Sequence, residues 1–195
     1  MKIKTELRTS VLYALSIVIS FGLIVSVPVS MAQTDGENGE SGENDTSELL
    51  AYDNPNLGFT LEYPSDWLKE ESLSFISPRL SVSDEAPESI SVTTEPKLSN
   101  LTLEEYSDSS ITMLESQFPN FTLIESSNST LSGYPASQIV YTYTFEDVDL
   151  KNLQIWTIAD DMVYVLTYGG TTKEFDNSLP VIQDMIDSFE ITEIQ

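Results

Sequence analysis

The stretch that decides the fold is YPASQIVYTYTFEDVDLKNLQIWTIADDMVYVLTY, residues 134–168. It predicts three consecutive β-strands joined by short polar turns, at residues 136–145, 151–159 and 162–168. In the first strand, one face carries Ile139, Tyr141, Tyr143 and Phe145, whereas Gln138, Thr142 and Thr144 lie mostly on the other. The third strand, MVYVLTY, is apolar on both faces. We therefore expect an antiparallel meander at the centre of a sheet that is covered on both sides.

The segments on either side of the meander predict two helices. The first, at residues 102–117, opens with a capping box at Thr102 and continues as an apolar stripe. The second, at residues 174–188, is amphipathic and suited to covering one face of the sheet. Because Pro180 lies inside this second pattern, the helix either starts at residue 178 or kinks there.

Shorter elements complete the predicted domain. Three further strands precede the first helix, at residues 58–63, 73–77 and 89–94, with a polar loop at 81–87. Trp67 follows a Pro64 turn and is expected to anchor in the core. After the first helix we expect a strand at 121–125, a turn at 128–133, and a break in the sheet at Gly169 and Gly170. The last apolar residues, Phe189 and Ile191, suit a short edge strand.

The N-terminal region predicts export. Residues 1–32 combine a basic start, an apolar run at 11–27 and small residues before a cleavage point, the pattern of a secretory signal peptide. The alternative is an uncleaved signal anchor, because the run approaches the minimum length of a membrane span. Residues 33–50 are acidic and polar, which predicts a disordered linker. Residues 51–195 then form one domain, secreted or otherwise extracytoplasmic.

The charge of the exported part is strongly negative. Residues 1–32 hold three of the eight basic and one of the thirty-two acidic residues, so five basic and thirty-one acidic residues remain, a net charge of −26. Such a surface repels nucleic acid and anionic lipid. It favours divalent cations or a basic protein as partner, or serves only as a solvated surface.

The chain has neither histidine nor cysteine. It therefore lacks an imidazole base, a thiolate nucleophile and the nitrogen or sulfur ligands of zinc. Carboxylates remain, and they suit calcium or magnesium. The first meander turn offers Glu146, Asp147 and Asp149 as a weak cation site, and the alternative is that they are solvated turn residues. Asp160 and Asp161 lie in the next turn, about 27 Å away along a strand, so the two groups form no common site.

Four N-x-S/T sequons are candidate N-glycosylation sites: Asn44, Asn100, Asn120 and Asn128. Asn100 precedes the first helix and Asn128 lies in the predicted turn, so both are well placed for modification. Asn120 lies next to the start of a strand.

The order of these motifs resembles the PsbP-like family. The resemblance rests on GFTLEYPSDW at 58–67, GYPA at 133–136, DDMVYVLTY at 160–168 and MIDSF at 185–189. It implies the Mog/PsbP-like α/β/α sandwich, an α+β fold with a central antiparallel sheet between helices. Family members include the extrinsic protein of photosystem II. This chain departs from the photosynthetic members because it has no histidine and an acidic N-terminal region, so a non-photosynthetic secreted member is expected.

Three functions remain open at this stage. The first is a non-catalytic accessory or binding protein outside the cytoplasmic membrane, with an envelope or membrane protein as partner and no cofactor. The second is a calcium- or magnesium-binding protein. The third is a hydrolase that works with carboxylates, which would need two acids in one cleft. The residues leave the ligand and the oligomeric state open.

Overall fold

The computed structural model describes residues 48–69, 73–77 and 87–193. The predicted signal peptide, residues 33–47 of the predicted linker and most of the loop at 81–87 lie outside these ranges. Among the described residues, no helix has the length and apolar character needed to cross a membrane.

The described ranges contain ten strands and two helices. In chain order they are β1 (Leu49–Asn54), β2 (Phe59–Pro64), β3 (Leu68–Lys69), β4 (Ser74–Ile76), β5 (Ser89–Pro96), α1 (Leu103–Gln117), β6 (Thr122–Leu131), β7 (Tyr134–Phe145), β8 (Val148–Ala159), β9 (Met162–Thr171), α2 (Leu179–Ser188) and β10 (Glu190–Ile191).

The predicted meander is confirmed as the centre of the larger sheet. This sheet has seven strands in the order β3-β4-β5-β9-β8-β7-β6, and every neighbouring pair is antiparallel. The three meander strands pair over almost their whole length, from Ala136 opposite Thr157 and from Leu150 opposite Thr171. A second, three-stranded sheet has the order β1-β2-β10 and includes the predicted final edge strand.

Helix α1 covers one face of the seven-stranded sheet. Its buried residues Tyr106 and Leu114 pack in one cluster with Ile139, Tyr141 and Trp156 of the meander. The helix starts as predicted, because the Glu105 amide donates to Thr102 Oγ1 and the Thr102 amide donates to Glu105 Oε2. This cap fixes where the helix begins above the sheet.

The opposite face is covered by α2 together with the small sheet. Ile182 and Met185 of α2 and Phe59 of β2 pack against Leu166 and Ile155 of the meander. Trp67 belongs to this cluster too, as predicted. The fold is therefore an α+β sandwich with helices on both faces, as the sequence resemblance implies, and one outer layer is shared between a helix and three short strands.

The predicted break at Gly169 and Gly170 is wrong. Both glycines are buried inside β9, which continues to Thr171. They are needed because neighbouring side chains cross directly over them: a Cβ on Gly169 would lie 2.5 Å from Asn152 Oδ1, and one on Gly170 would lie 2.9 Å from Glu88 Cγ. The glycines thus mark a close approach within the sheet.

The second helix begins later than residue 174. Residues 172–177 form turns, and α2 starts at Leu179 with Pro180 in its first turn. Of the two predicted alternatives, the start near residue 178 is therefore correct, because proline is tolerated at the beginning of a helix and not in its interior. Within these turns, Thr171 Oγ1 donates to Glu174 Oε2 at 3.2 Å.

The predicted turn at 128–133 is also wrong. Residues Thr122–Leu131 form one continuous strand, β6, and the turn consists of Ser132 and Gly133, both with positive φ. The prediction failed because β6 lies at the edge of the sheet and is polar on most of its length. Strand β1 begins at Leu49, inside the segment predicted as linker, and β3 was not predicted.

Replacing Gly169 with alanine should destabilise the fold by about 1–3 kcal/mol, because the new methyl group collides with the Asn152 side chain. Urea unfolding of the wild type and of Gly169→Ala measures this cost. In an Asn152→Ala background the same change should cost clearly less, since the colliding amide is gone. An equal cost in both backgrounds would show that the glycine is required for another reason.

Candidate functional site

Buried polar side chains line the part of the sheet that faces α1. Asn152 Nδ2 donates to the Tyr141 hydroxyl at 3.1 Å, and Gln154 Nε2 donates to Thr167 Oγ1 at 2.9 Å. Asn152, Gln154 and Thr167 are each at most 5% exposed. We call Tyr141, Asn152, Gln154 and Thr167 the polar seam. Its groups are neutral and paired with one another, so they stabilise the sheet at little desolvation cost and offer no acid or base.

The indole of Trp156 ties α1 to the same face. Trp156 Nε1 donates to Ser107 Oγ at 3.0 Å, and the Ser107 hydroxyl in turn donates to the Leu103 carbonyl oxygen. Ser137 Oγ lies 3.0 Å from Ser107 Oγ. Ser107 of α1 is therefore hydrogen-bonded to both β7 and β8, which fixes the position of the helix along the sheet.

Glu95 and Tyr106 form the ionisable pair on this face. Tyr106 of α1 and Glu95 of β5 lie close enough for each to shift the pKa of the other. Burial raises the pKa of Glu95, and the Tyr106 hydroxyl offsets part of that rise. Burial and the nearby Glu95 charge raise the pKa of Tyr106 well above its ordinary value. Glu95 lacks a second carboxylate partner in this pair, so the two-acid arrangement of a hydrolase is not formed here.

The aromatic residues of the meander are packed and do not line a groove. Tyr141, Tyr143, Trp156, Tyr164 and Tyr168 are all at most 6% exposed. Burial raises the pKa of Tyr143 to about 12 and that of Tyr141 still further. These phenols stay neutral at physiological pH and act as structural groups.

A carboxylate on the other face joins α2 to the sheet. Glu88 Oε1 lies 2.9 Å from the Tyr168 hydroxyl, and Ser178 Oγ donates to Glu88 Oε2 at 2.7 Å. Because its hydroxyl is used in this way, the N-cap Ser178 makes no capping bond to its own helix. Burial raises the pKa of Tyr168 strongly, with the Glu88 charge as the next cause. Sequence reasoning missed Glu88, since nothing in its surroundings marks it as a helix anchor.

The structure places the predicted cation ligands in a tight turn between β7 and β8. Glu146 and Asp147 both have positive φ, and Phe145 pairs directly with Val148, which defines a two-residue hairpin turn. Asp149 Oδ1 accepts a hydrogen bond from Thr144 Oγ1 at 3.0 Å. Across the described ranges, no three acidic residues come together in an arrangement that could hold a metal ion. Calcium binding at Glu146, Asp147 and Asp149 therefore stays a prediction without geometric support.

The second acidic turn, Asp160 and Asp161, connects β8 to β9 at the opposite end of β8. Asp160 has positive φ, and the Asp161 carbonyl oxygen accepts a hydrogen bond from the Lys97 amide. These residues are exposed and form the turn and its contact with the segment before α1. The two acidic turns lie apart, as the strand length predicts.

The described sequons differ in what their side chains do. Asn100 has positive φ, and the hydroxyl of its partner Thr102 is the N-cap of α1. Asn120 Nδ2 donates to Thr144 Oγ1 at 3.1 Å. Asn128 lies in β6 and not in a turn, and it is exposed. Asn44 lies outside the described residues.

These features define the class of the protein: an α+β sandwich whose central sheet is covered on both faces and whose buried amides and indole are hydrogen-bonded within the fold. A family model described as "PsbP-like protein" matches residues 10–191. The chain belongs to the PsbP-like family. No curated protein sequence matches it.

Solved structures share the fold at low identity. The cyanobacterial PsbP (CyanoP) of Synechocystis is 16% identical with a TM-score of 0.55, and the match covers 78% of this chain and 98% of that one. LpqN of Mycobacterium tuberculosis, involved in cell envelope biogenesis, is 17% identical with a TM-score of 0.54, covering 76% and 87%. The Ran-binding protein Mog1p of Saccharomyces cerevisiae is 12% identical with a TM-score of 0.52, covering 76% and 97%. At these identities the likeness shows the fold alone.

Replacing the turn Glu146-Asp147 with Asn-Gly should raise the free energy of unfolding by about 1 kcal/mol, because asparagine and glycine adopt positive φ at lower cost. Thermal unfolding without metal measures this gain. A loss of stability would show that the acidic side chains themselves support the turn.

The same double variant tests the predicted cation site. If the turn binds calcium, millimolar calcium should raise the Tm of the wild type and leave the Tm of the variant unchanged. An equal response of both proteins, with no saturable heat in calorimetry, would contradict the predicted site.

Glu95 should make stability depend on pH. Burial raises the pKa of Glu95 in the folded state above the ordinary value of 4.5. The protonated Glu95 carboxyl group therefore contributes to the free energy of unfolding fully below pH 4.5, and this contribution is lost as pH rises through the folded pKa. Urea unfolding across this window should show Glu95→Gln, relative to the wild type, gaining stability as pH rises. A constant difference between the two proteins over the window would contradict the raised pKa.

Proposed function

We propose that this protein is a non-catalytic accessory or binding protein that acts outside the cytoplasmic membrane. The observation that carries the proposal is family membership over residues 10–191, a range that includes the apolar run of the predicted signal peptide. A leader-like segment inside the family match favours an exported role. The described relatives add support, since LpqN takes part in cell envelope biogenesis and Mog1p binds a protein.

A binding role is favoured over catalysis by the state of the buried polar groups. Asn152, Gln154 and Trp156 satisfy their donors within the fold, and Glu88 is occupied by two hydroxyl groups. Catalytic groups need an accessible cleft and a partner acid or base. In the described residues, the buried amides instead join neighbouring strands, and Trp156 and Glu88 hold the helices on the sheet.

The partner that this surface fits best is a protein with a basic docking face. The predicted exported part carries a net charge of −26, which repels anionic lipid and nucleic acid and attracts positive charge. Electrostatic complementarity of this kind mainly raises the association rate and gives salt-dependent binding. An envelope protein with an extracytoplasmic basic surface meets this description.

The proposal is tested by capture from intact envelopes of the organism that makes the protein. The tagged full-length chain should locate outside the cytoplasm and retain one specific envelope protein. An excess of untagged chain should displace that partner, and raising the salt concentration should weaken the complex. Recovery of the chain from the cytoplasm, or only non-saturable binding, would overturn the proposal.

A further inference from the structure

Among the described strands, β6 has the longest open edge. This strand has ten residues and pairs with β7 on one side, and no described strand pairs with its other side. The opposite edge of the same sheet is β3, which has two residues. A two-residue edge has few backbone groups with which another strand could pair, whereas a ten-residue edge presents a row of unpaired backbone donors and acceptors.

Strand β6 carries few of the usual devices that protect an edge. A register shift between Leu123 and Glu125 marks a bulge, and Glu125 is the one charged residue of the strand. The six residues after Glu125, 126–131, contain no charge and no proline. Leu123 and Ile124 are 39% and 58% exposed beside this edge. An exposed strand of this kind is prone to pair with another chain.

The sequon at Asn128 lies in the middle of the uncharged half of β6. Asn128 and Thr130 are two residues apart in an extended strand, so their side chains point to the same face, and both residues are exposed. Both polar groups required of an acceptor site are thus presented together. The other described sequons have one group engaged: Thr102 caps α1, and the Asn120 amide bonds Thr144.

We propose that Asn128 carries an N-linked glycan and that this glycan covers the free edge of β6. The inference rests on the export that the proposed function requires, because the transfer of such glycans takes place outside the cytoplasm. In the reaction, Asn128 Nδ2 forms a bond to the anomeric carbon of a lipid-linked sugar and loses a proton. The bond from that carbon to the lipid phosphate breaks, and the phosphate leaves with the electron pair.

The glycan protects the edge by size and hydration. A bulky hydrophilic group on an edge strand keeps a second strand from approaching within the spacing of about 4.8 Å that pairing needs. The glycan therefore prevents residues 126–131 from pairing with another chain, as lysine or proline does on other edge strands. It also leaves the core contacts unchanged, since Asn128 belongs to neither hydrophobic cluster.

Glycopeptide mass spectrometry of the protein from its own organism tests the modification. The peptide with Asn128 should carry a glycan. Thr130→Ala, which removes the sequon, should abolish it, whereas Thr130→Ser, which keeps the sequon, should retain it. An unmodified Asn128 in protein recovered from outside the cytoplasm overturns the glycan and leaves the proposed function standing. Protein confined to the cytoplasm overturns both.

Sedimentation of the purified variants tests the protective role. Thr130→Ala should shift from monomer toward larger species, and Thr130→Ser should sediment like the wild type. Adding Ser126→Lys to Thr130→Ala should return the protein to the monomer, because Ser126 is exposed in β6 and a lysine there protects the edge by charge. If Thr130→Ala stays monomeric, or if Ser126→Lys fails to restore the monomer, the glycan does not serve to cover this edge.

Discussion

The structure depends on the burial of β8 and β9 from both sides. The residues of β9 from Val163 to Thr171 are all buried, and alternate residues face opposite sides of the sheet. Such a strand cannot lie at a surface, because each fully exposed Leu, Val or Tyr would forfeit about 1.5–3 kcal/mol of burial. Both outer layers are therefore required, α1 on one face and α2 with the small sheet on the other. The two layers are not interchangeable, since each is attached through its own polar contacts.

Those polar contacts determine where each helix sits. Hydrophobic burial is non-directional, so an apolar face alone would let α1 slide along the sheet. The hydrogen bonds that join Ser107 to Trp156 and to Ser137 specify a single position. Glu88 does the same for α2 through Ser178. Because these groups are used for positioning, the proposed binding function falls to the rim of the sandwich, where the connecting turns are exposed.

Sequence patterns predicted the parts of the fold in which local chemistry and tertiary packing agree. The alternation of Ile139, Tyr141 and Tyr143 and the capping box at Thr102 both correspond to the observed structure. The predicted break at Gly169 is wrong because the glycine serves a packing need inside the strand. The Asn152 side chain of the neighbouring strand lies so close that this position has no room for a Cβ atom.

Sequence patterns failed where a strand lacks apolar alternation and where contacts join distant residues. The predicted strand ended at residue 125, short of the observed β6, because an edge strand rich in serine and threonine lacks the apolar alternation by which strands are recognised. The polar seam and Glu88 depend on partners 11 to 90 residues away in sequence, and no local spacing indicates such pairs. The acidic turn at Glu146 and Asp147 shows the reverse case, in which a suggestive cluster of carboxylates proves to form a hairpin turn.

Hydrogen–deuterium exchange tests the central claim most directly, that a doubly covered meander is the stable core and β6 its open edge. The account predicts that the amides of β8 and β9 exchange most slowly, near the limit set by global unfolding. In β6, the amides that point away from β7 should exchange faster by orders of magnitude. Equal protection of β6 and β8 in the isolated protein, or fast exchange throughout β9, would contradict it.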